Sequence, residues 1–412
     1  MRRVDVIGIG AINFDLIFSS LRNNSKTSQS AFDDGEERFV DKNTFDETLK
    51  RIQKASKDPV YAQVGGSALL AIRTVKSMCS QLRTAYVGVI GNSPNYCKGY
   101  NLPKSPDETL EQLADYIDDR SWLFVDKNED VGMSIVNMKN KKRQFINVLP
   151  GANDTMKRHI ENKRYEFIKF VSQAKWVHIT SLHDTRLFIY MCALVAAAKR
   201  KNPMLMISID PGFDYTKNHW DALKQVLRIA DYVFLSKSEL ANILNNVNLG
   251  EKDEMLNLAE ELITNKANPQ VLIIKHKYKS VLLSLVNSNP FIRTYHHKRL
   301  FNIRILNDTG AGDAFAGGFI AGNLMPKMMS YQPAAIQLAS VAAKERLRSK
   351  EWPTTLRDKT YAFITRNMKN EKKNKKQFIQ NVFDFLKKPF VEFLIGIGTG
   401  LVASWIYQHL NN

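Results

Sequence analysis

From Trp176 to His276 the chain alternates short apolar runs with segments of helical length, and this alternation constrains the fold more than any other feature. WVHIT (176–180), MLMISID (204–210), DYVFLS (231–236) and VLIIKH (271–276) read as strands. RLFIYMCALVAAAKR (186–200), HWDALKQVLRIA (219–230) and the opening of SELANIL (238–244) read as the helices between them. Buried strands separated by helices build βαβ units around a mostly parallel sheet, so the fold class is α/β. The strands nearer the N-terminus are more alternating and more polar. VDVIGIGAINFDLIF reads as strand, turn, strand, and VGMSIVNMKNKKRQFINVLP (131–150) as two strands around the basic turn Asn140-Lys141-Lys142. Such strands predict a second, smaller sheet with one solvated face.

A chain of 412 residues, 44% hydrophobic and 24% charged, is long enough for one large α/β domain or two smaller ones. Its three cysteines, Cys79, Cys97 and Cys192, are far apart and form no C-x-x-C. That argues against zinc and disulfide frameworks and for a reducing, cytoplasmic setting. Met1-Arg2-Arg3 runs straight into a strand, so no secretory signal is expected. A third of the formal charge of +18 falls in one short stretch near the C-terminus, where eight basic residues stand with two acidic ones between Arg366 and Lys388. The rest is dispersed, without RNA-binding aromatic motifs or zinc-finger spacing, so no specific nucleic-acid partner is expected. Residues 22 to 58 are polar and charged around the helical DETLKRIQKAS, and read as a surface insertion. Gly65-Gly66-Ser67 open the apolar helix ALLAIRTVKSM, and AYVGVIG (85–91) reads as a buried strand.

The stretch NDTGAGDAFAGG (307–318) carries the chemistry. Phe301 to Leu306 is strand-like before it, and a helix of small apolar residues follows from Ala314. In an open α/β sheet, ligands bind outside the carboxyl ends of the strands. A turn Gly310-Ala311-Gly312 lets backbone N–H groups approach an oxyanion, and the helix N-terminus adds partial positive charge. Asp313 beside such an anion hole could accept the proton of a hydroxyl attacking phosphorus. The alternative is an ordinary first-turn helix carboxylate after an ordinary glycine turn.

The pattern D-T-G-A-G-D-A-F-x-x-G resembles the C-terminal signature of the PfkB/ribokinase family of carbohydrate and nucleoside kinases. Other family elements follow in order over residues 3 to 350: VIGIGAINFDLI, Gly65-Gly66, PGAND (150–154), ISIDPG (207–212) and DYVFLSKSE (231–239). The resemblance implies a ribokinase-like three-layer sandwich with a small β-sheet lid, occupying residues 1–360. The lid strands would lie at about 11–22 and 131–150. It implies transfer of a phosphoryl group from ATP, with Mg²⁺, to a hydroxyl of a sugar or nucleoside. Asp313 would be the base, and the backbone of Gly310, Ala311 and Gly312 the anion hole. Asn13, Asp15, Gly65, Gly66 and Asn153 would contact substrate. Thr309, Lys275 and Lys277 would face nucleotide, and Glu239 the magnesium. The alternatives are that Asn13 and Asp15 are turn residues, Gly65-Gly66 a turn opening the helix, Glu239 a first-turn helix acid, and the lysines solvated loop charges.

Four positions depart from the family. The Asn of its Asn-x-x-Glu is Ser236. The glycine-punctuated nucleotide loop is Lys275-His276-Lys277-Tyr278-Lys279-Ser280. Asn307 stands first in the signature, where relatives often help hold a monovalent cation. Leu70 replaces a sugar-binding Asn. These departures support a second reading: a catalytically weak sugar- or nucleotide-binding scaffold with the kinase fold.

Beyond a basic linker (361–388), residues 389–410 form an apolar C-terminal helix outside the family pattern. Phe393 to Leu410 contains 18 residues without Lys, Arg, Asp or Glu, flanked by lysines before it and by Trp405 and Tyr407 near its end. It reads as a membrane anchor at the cytoplasmic face, or as a helix docked on protein. An exposed lid sheet could also pair with a copy of itself in a homodimer.

Overall fold

The structure is a computed structural model. It describes residues 3–19, 36–56, 59, 61–97, 99–139, 142–180, 182–243, 271–276, 279–286, 289–296, 309–325, 332–349, 352, 353, 356–360 and 362. The chain divides into two compact units, residues 1–357 and 358–412. Strands are numbered in chain order: β1 (Val6–Ile9), β2 (Asn13–Ser19), β3 (Glu36–Phe39), β4 (Tyr61–Gly65), β5 (Thr84–Asn92), β6 (Leu123–Asp130) and β7 (Gly132–Lys139). They continue with β8 (Lys142–Leu149), β9 (Trp176–Thr180), β10 (Met206–Asp210), β11 (Tyr232–Ser236), β12 (Val271–His276), β13 (Lys279–Val286) and β14 (Asn289–His296).

One nine-stranded sheet has the order β14-β13-β12-β11-β10-β9-β1-β5-β6. All neighbours from β12 to β6 are parallel, and β13–β14 is an antiparallel hairpin on one edge. The strand order reverses between β1 and β9, so the crevice that favours ligands opens where those two strands end. The parallel strands are apolar on both faces because helices cover both. Ile7, Ile9, Val177, Ile179, Ile207 and Val233 pack with helices Arg164–Ser172 and Thr185–Lys201 on one side. On the other side Trp176, Tyr232 and Phe234 meet Phe319 edge-on, with ring centroids at 6.3, 5.2 and 5.6 Å. Helix Thr185–Lys201 starts because the Asp184 carboxylate accepts from Arg186 N at 2.8 Å, and it ends on Lys199, Arg200 and Lys201.

Phe319 belongs to helix Ala311–Leu324, which lies between helices Ser67–Met78 and Gln332–Arg348. Its glycines set that spacing. A Cβ on Gly317 would come within 2.3 Å of the Ala71 carbonyl oxygen, and one on Gly318 within 2.8 Å of Ala339 Cα. Gly317→Val is therefore expected to destabilise the fold by about 2 kcal/mol or more. Chemical denaturation checks this; an unchanged midpoint would remove the close-packing account.

The lid is a mixed five-stranded sheet, β3-β8-β7-β2-β4. Its own small core is Ile17, Val136, Met138 and Val148, with Phe39 and Tyr61 against it. Part of the segment read as a surface insertion belongs to this lid: β3 pairs in parallel with β8, Phe39 opposite Val148. Helix Lys42–Ser56 buries Phe45, Leu49 and Ile52, a stripe at helical spacing. Charged EERF hid the strand, because alternation is unreadable in four residues with one apolar side chain. The hairpin β13–β14 was also not anticipated. Among the described residues no helix is long and apolar enough to cross a membrane. The apolar segment 389–410, the linker 361–388 save residue 362, and the strand expected at 301–306 lie outside the described residues.

Candidate active site

At the start of helix Ala311–Leu324, Gly310 adopts φ +79°, a left-handed conformation that a side chain would strain. It is the N-cap without a capping side chain, and Thr309 before it is buried. The first N–H groups of a helix have no acceptor within it, so the backbone from Ala311 to Asp313 presents donors. Lys275 Nζ, from the end of β12, lies 3.4 Å from where a Cβ on Gly312 would sit. A cationic side chain therefore stands over the glycine turn.

Asp313 sits in the first turn and is half-buried. Burial pushes its carboxyl up to about 7, and the negative charges of Asp210, Glu37 and Asp15 push the same way, against Lys275. Those groups come from five places in the chain: β2, β3, β10, β12 and the helix. At the end of β10, Asp210 pairs with Lys275 at 2.6 Å. Burial works against the lysine's charge, but Asp210 and Glu239 outweigh it and hold Lys275 raised. Beneath the pair, Trp176 Nε1 donates to Ser208 Oγ at 2.8 Å, and that oxygen lies 2.9 Å from His178 Nδ1. Burial pushes His178 down to about 4, so it is neutral at pH 7.

Ser236 and Glu239 form a reciprocal cap on helix Lys237–Ile243. Ser236 N donates to Glu239 Oε2 at 2.6 Å, and Glu239 N donates to Ser236 Oγ at 3.2 Å. Burial raises Glu239 and Lys275 opposes it. The serine that departs from the family pattern thus has a local reason. Among the described residues no cluster of three acidic, His or Cys side chains could cage a metal. A hydrated Mg²⁺ needs only one or two carboxylates plus phosphates, so Glu239 with its second oxygen fits that role.

The lid contributes Asp15, whose carboxylate accepts from Ser134 Oγ at 2.5 Å and Gln63 Nε2 at 3.3 Å. Burial pushes it up to about 6, against those two bonds and the Arg346 charge. Gly65 makes room for it: a Cβ there would overlap Asp15 Oδ2 at 1.8 Å. Gly66 has φ +117° and would meet the Ala11 carbonyl at 2.1 Å. The glycine pair accordingly clears space for Asp15 and for the backbone of the β1–β2 link. Asn153 accepts from Ile12 N at 2.8 Å and donates to Pro150 O, Asn13 Oδ1 and Ile12 O at 2.8, 3.0 and 3.2 Å. Two amide hydrogens already serve three acceptors, so Asn153 ties the β1–β2 link to Pro150 and orients Asn13, while its Oδ1, which takes one bond from Ile12 N, can still accept a second.

A cleft of about 540 Å³ opens between β3 and the segments after β9 and β10, lined by Glu37, Phe39, His183, Phe213, Asp214 and His219 among others. His183 lies against the Phe39 ring at 4.8 Å and pairs with Asp154 at 3.2 Å, a hydrogen bond that raises it. The volume suits a small-molecule ligand. Leu70 is buried and would touch a Cβ on Gly310 at 3.2 Å, so it packs behind the turn. Lys277, Asn307 and Asp308 lie outside the described residues. Sequence reasoning missed Asp210, Ser134, Gln63, Glu37 and Arg346. Only Asp210 had a signal, its place at the carboxyl end of a predicted strand.

A parallel sheet wrapped by helices, a strand lid over its carboxyl ends and an aspartate beside a glycine turn define the ribokinase-like class of kinases. The chain belongs to the pfkB family of carbohydrate kinases, which residues 104–355 match. An adenosine kinase of Schizosaccharomyces pombe is 25% identical over 273 residues, 64% of this chain and 75% of the relative. An uncharacterized sugar kinase of Archaeoglobus fulgidus is 23% identical over 253 residues, 60% of this chain and 85% of the relative. Among solved structures, adenosine kinase from Schistosoma mansoni in complex with 2-fluoroadenosine superposes with a TM-score of 0.67 at 18% identity, covering 86% of this chain and 98% of that one. Ribokinase from Giardia lamblia gives 0.66 at 15% identity, over 88% and 99%. At such identities the structural likeness shows the fold alone.

Proposed function

We propose that the chain transfers a phosphoryl group from ATP, with Mg²⁺, to a hydroxyl of a nucleoside or sugar, nucleosides first. The observation that carries this is Asp313: a carboxyl held at about 7, in the first turn of the helix that the left-handed Gly310 opens. A base is most effective when its pKa lies near the working pH. In this reading Asp313 takes the proton of the attacking hydroxyl. The N–H groups from Ala311 to Asp313, with the Lys275 ammonium above them, hold the charge on the transferred group. Asp15 and Asn13 orient the acceptor, whose distal part enters the cleft beside Phe39, His183 and Phe213. Mg²⁺ would be held through water on Glu239 and on nucleotide phosphates, where it neutralises phosphate charge. Adenosine is favoured because relatives named adenosine kinase recur among the matches.

The test is ADP release from ATP and Mg²⁺ with a panel of nucleosides, pentoses, hexoses and phosphosugars. Adenosine is expected to give the highest kcat/KM. No turnover with any acceptor, together with intact ligand binding, would favour the scaffold reading instead.

In the same reading, residues 389–410 attach the kinase to the cytoplasmic face of a membrane, and the lid edges β3 and β4 are where a second copy would add. The full chain is then expected to sediment with membranes in detergent-free fractionation, and a chain truncated after Arg366 to stay in the supernatant. Identical soluble behaviour of both would end the anchor proposal.

A further inference from the structure

Arg346, near the end of helix Gln332–Arg348, is an arginine with no exposed surface. Such residues are rarely fully buried, and a guanidinium stays protonated even there. Its position is specific. Nε lies 3.5 Å from where a Cβ on Gly310 would sit, directly behind the glycine turn. The guanidinium lies over the Trp352 ring at 5.2 Å, with Arg73 at 5.7 Å from the same ring. Nη1 donates to Ser349 O at 3.0 Å, which closes its own helix. The close approach of its helix to helix Ala311–Leu324, glycine 318 against alanine 339, fixes it there.

We propose that Arg346 is the resident cation of this site, a positioning residue that keeps the turn Gly310–Gly312 positive from inside the protein in place of a dissociable monovalent ion. The inference rests on the kinase reading above. A monovalent ion at the same turn would face a buried guanidinium with little water to screen the repulsion, so this turn does not fit one. Among the described residues, the charged and titratable groups facing Arg346 include Tyr61 of β4, Arg73 of helix Ser67–Met78, Asp313 and Asp15. Its charge pulls Asp15 back toward the carboxylate form. It therefore serves both ends of the reaction, the acceptor's aspartate and the backbone that holds the phosphoryl group.

The experiment measures adenosine phosphorylation by the full chain, Arg346→Met and Arg346→Lys in potassium, sodium and tetramethylammonium chloride at equal ionic strength. Wild-type kcat is expected to agree within about twofold across the three salts. Arg346→Met is expected to lose at least about tenfold in kcat, with the acid limb of its pH profile moved upward, and Arg346→Lys to recover part of both. A wild type that needs potassium, or a folded Arg346→Met with unchanged kcat and pH profile, overturns the proposal. Thermal denaturation reports whether Arg346→Met is folded; if it is not, Arg346→Lys decides, and unaltered salt response and kcat there with collapse only of stability counts against a role in the site. If wild type phosphorylates no acceptor, the kinase reading fails instead. Calorimetric binding of ADP then judges Arg346 separately: weaker binding by Arg346→Met supports it, and equal binding overturns it.

Discussion

Asp313→Asn is expected to lower kcat by about 10³-fold while leaving the acceptor KM within a fewfold. The amide has the shape of the carboxyl but cannot take a proton, and only the transition state needs that proton moved. The pH profile adds a second arm. With Asp313 held at about 7, wild-type kcat/KM should climb about tenfold per unit up to that pH and level off above it. The residual activity of the variant should lack this limb. Stability supplies a third arm with a fixed sign. A carboxyl raised in the folded state from an ordinary unfolded value near 4 contributes stability that is present below that value and lost as pH rises through about 7. The asparagine variant escapes the loss. Its thermal midpoint should exceed that of wild type at pH 8, and the gap should close by about pH 4. A variant that retains a tenth of wild-type kcat would remove Asp313 from the role of base.

How much of this was legible beforehand depends on how local the cause is. The parallel sheet was, because β9, β10, β11 and β12 are short apolar runs whose burial needs no partner sequence to be recognised. The glycine turn and Asp313 were, because a left-handed residue, a helix start and a carboxylate fall within four positions. Strand β3 was not, since its place in the lid is set by hydrogen bonding to β8, more than a hundred residues away. Gly65 shows the same limit. The sequence marks it as a place needing room, but only the structure shows that the occupant is the Asp15 carboxylate. Asn153 was placed near the acceptor by resemblance; its bonds to the backbone of Ile12 and Pro150 are visible only in the structure. The ion pair Lys275–Asp210 and the buried Arg346 arise from residues 65 and 36 positions from their partners Asp210 and Gly310. Spacing of that kind leaves no pattern in a single chain.

Lys275 offers the second large effect, because it is the one described cation set directly among Asp210, Glu239 and Asp313. Lys275→Met is expected to cost kcat about 10²-fold, since the ammonium over Gly312 no longer meets charge developing on the transferred group. It should also leave Asp210, Glu239 and Asp313 without the cation set among them, and so move the acid limb of kcat/KM upward by about one pH unit. Asp210→Asn tests the same field from the other side. Asp210 is, after burial, the largest influence raising Asp313, so its removal should move the limb downward by about one unit. It should also free the lysine from its 2.6 Å ion pair. The two variants thus displace one titration in opposite directions, which loss of folding or of nucleotide affinity alone cannot do. Displacement of both in the same direction would show that the limb belongs to a group other than Asp313.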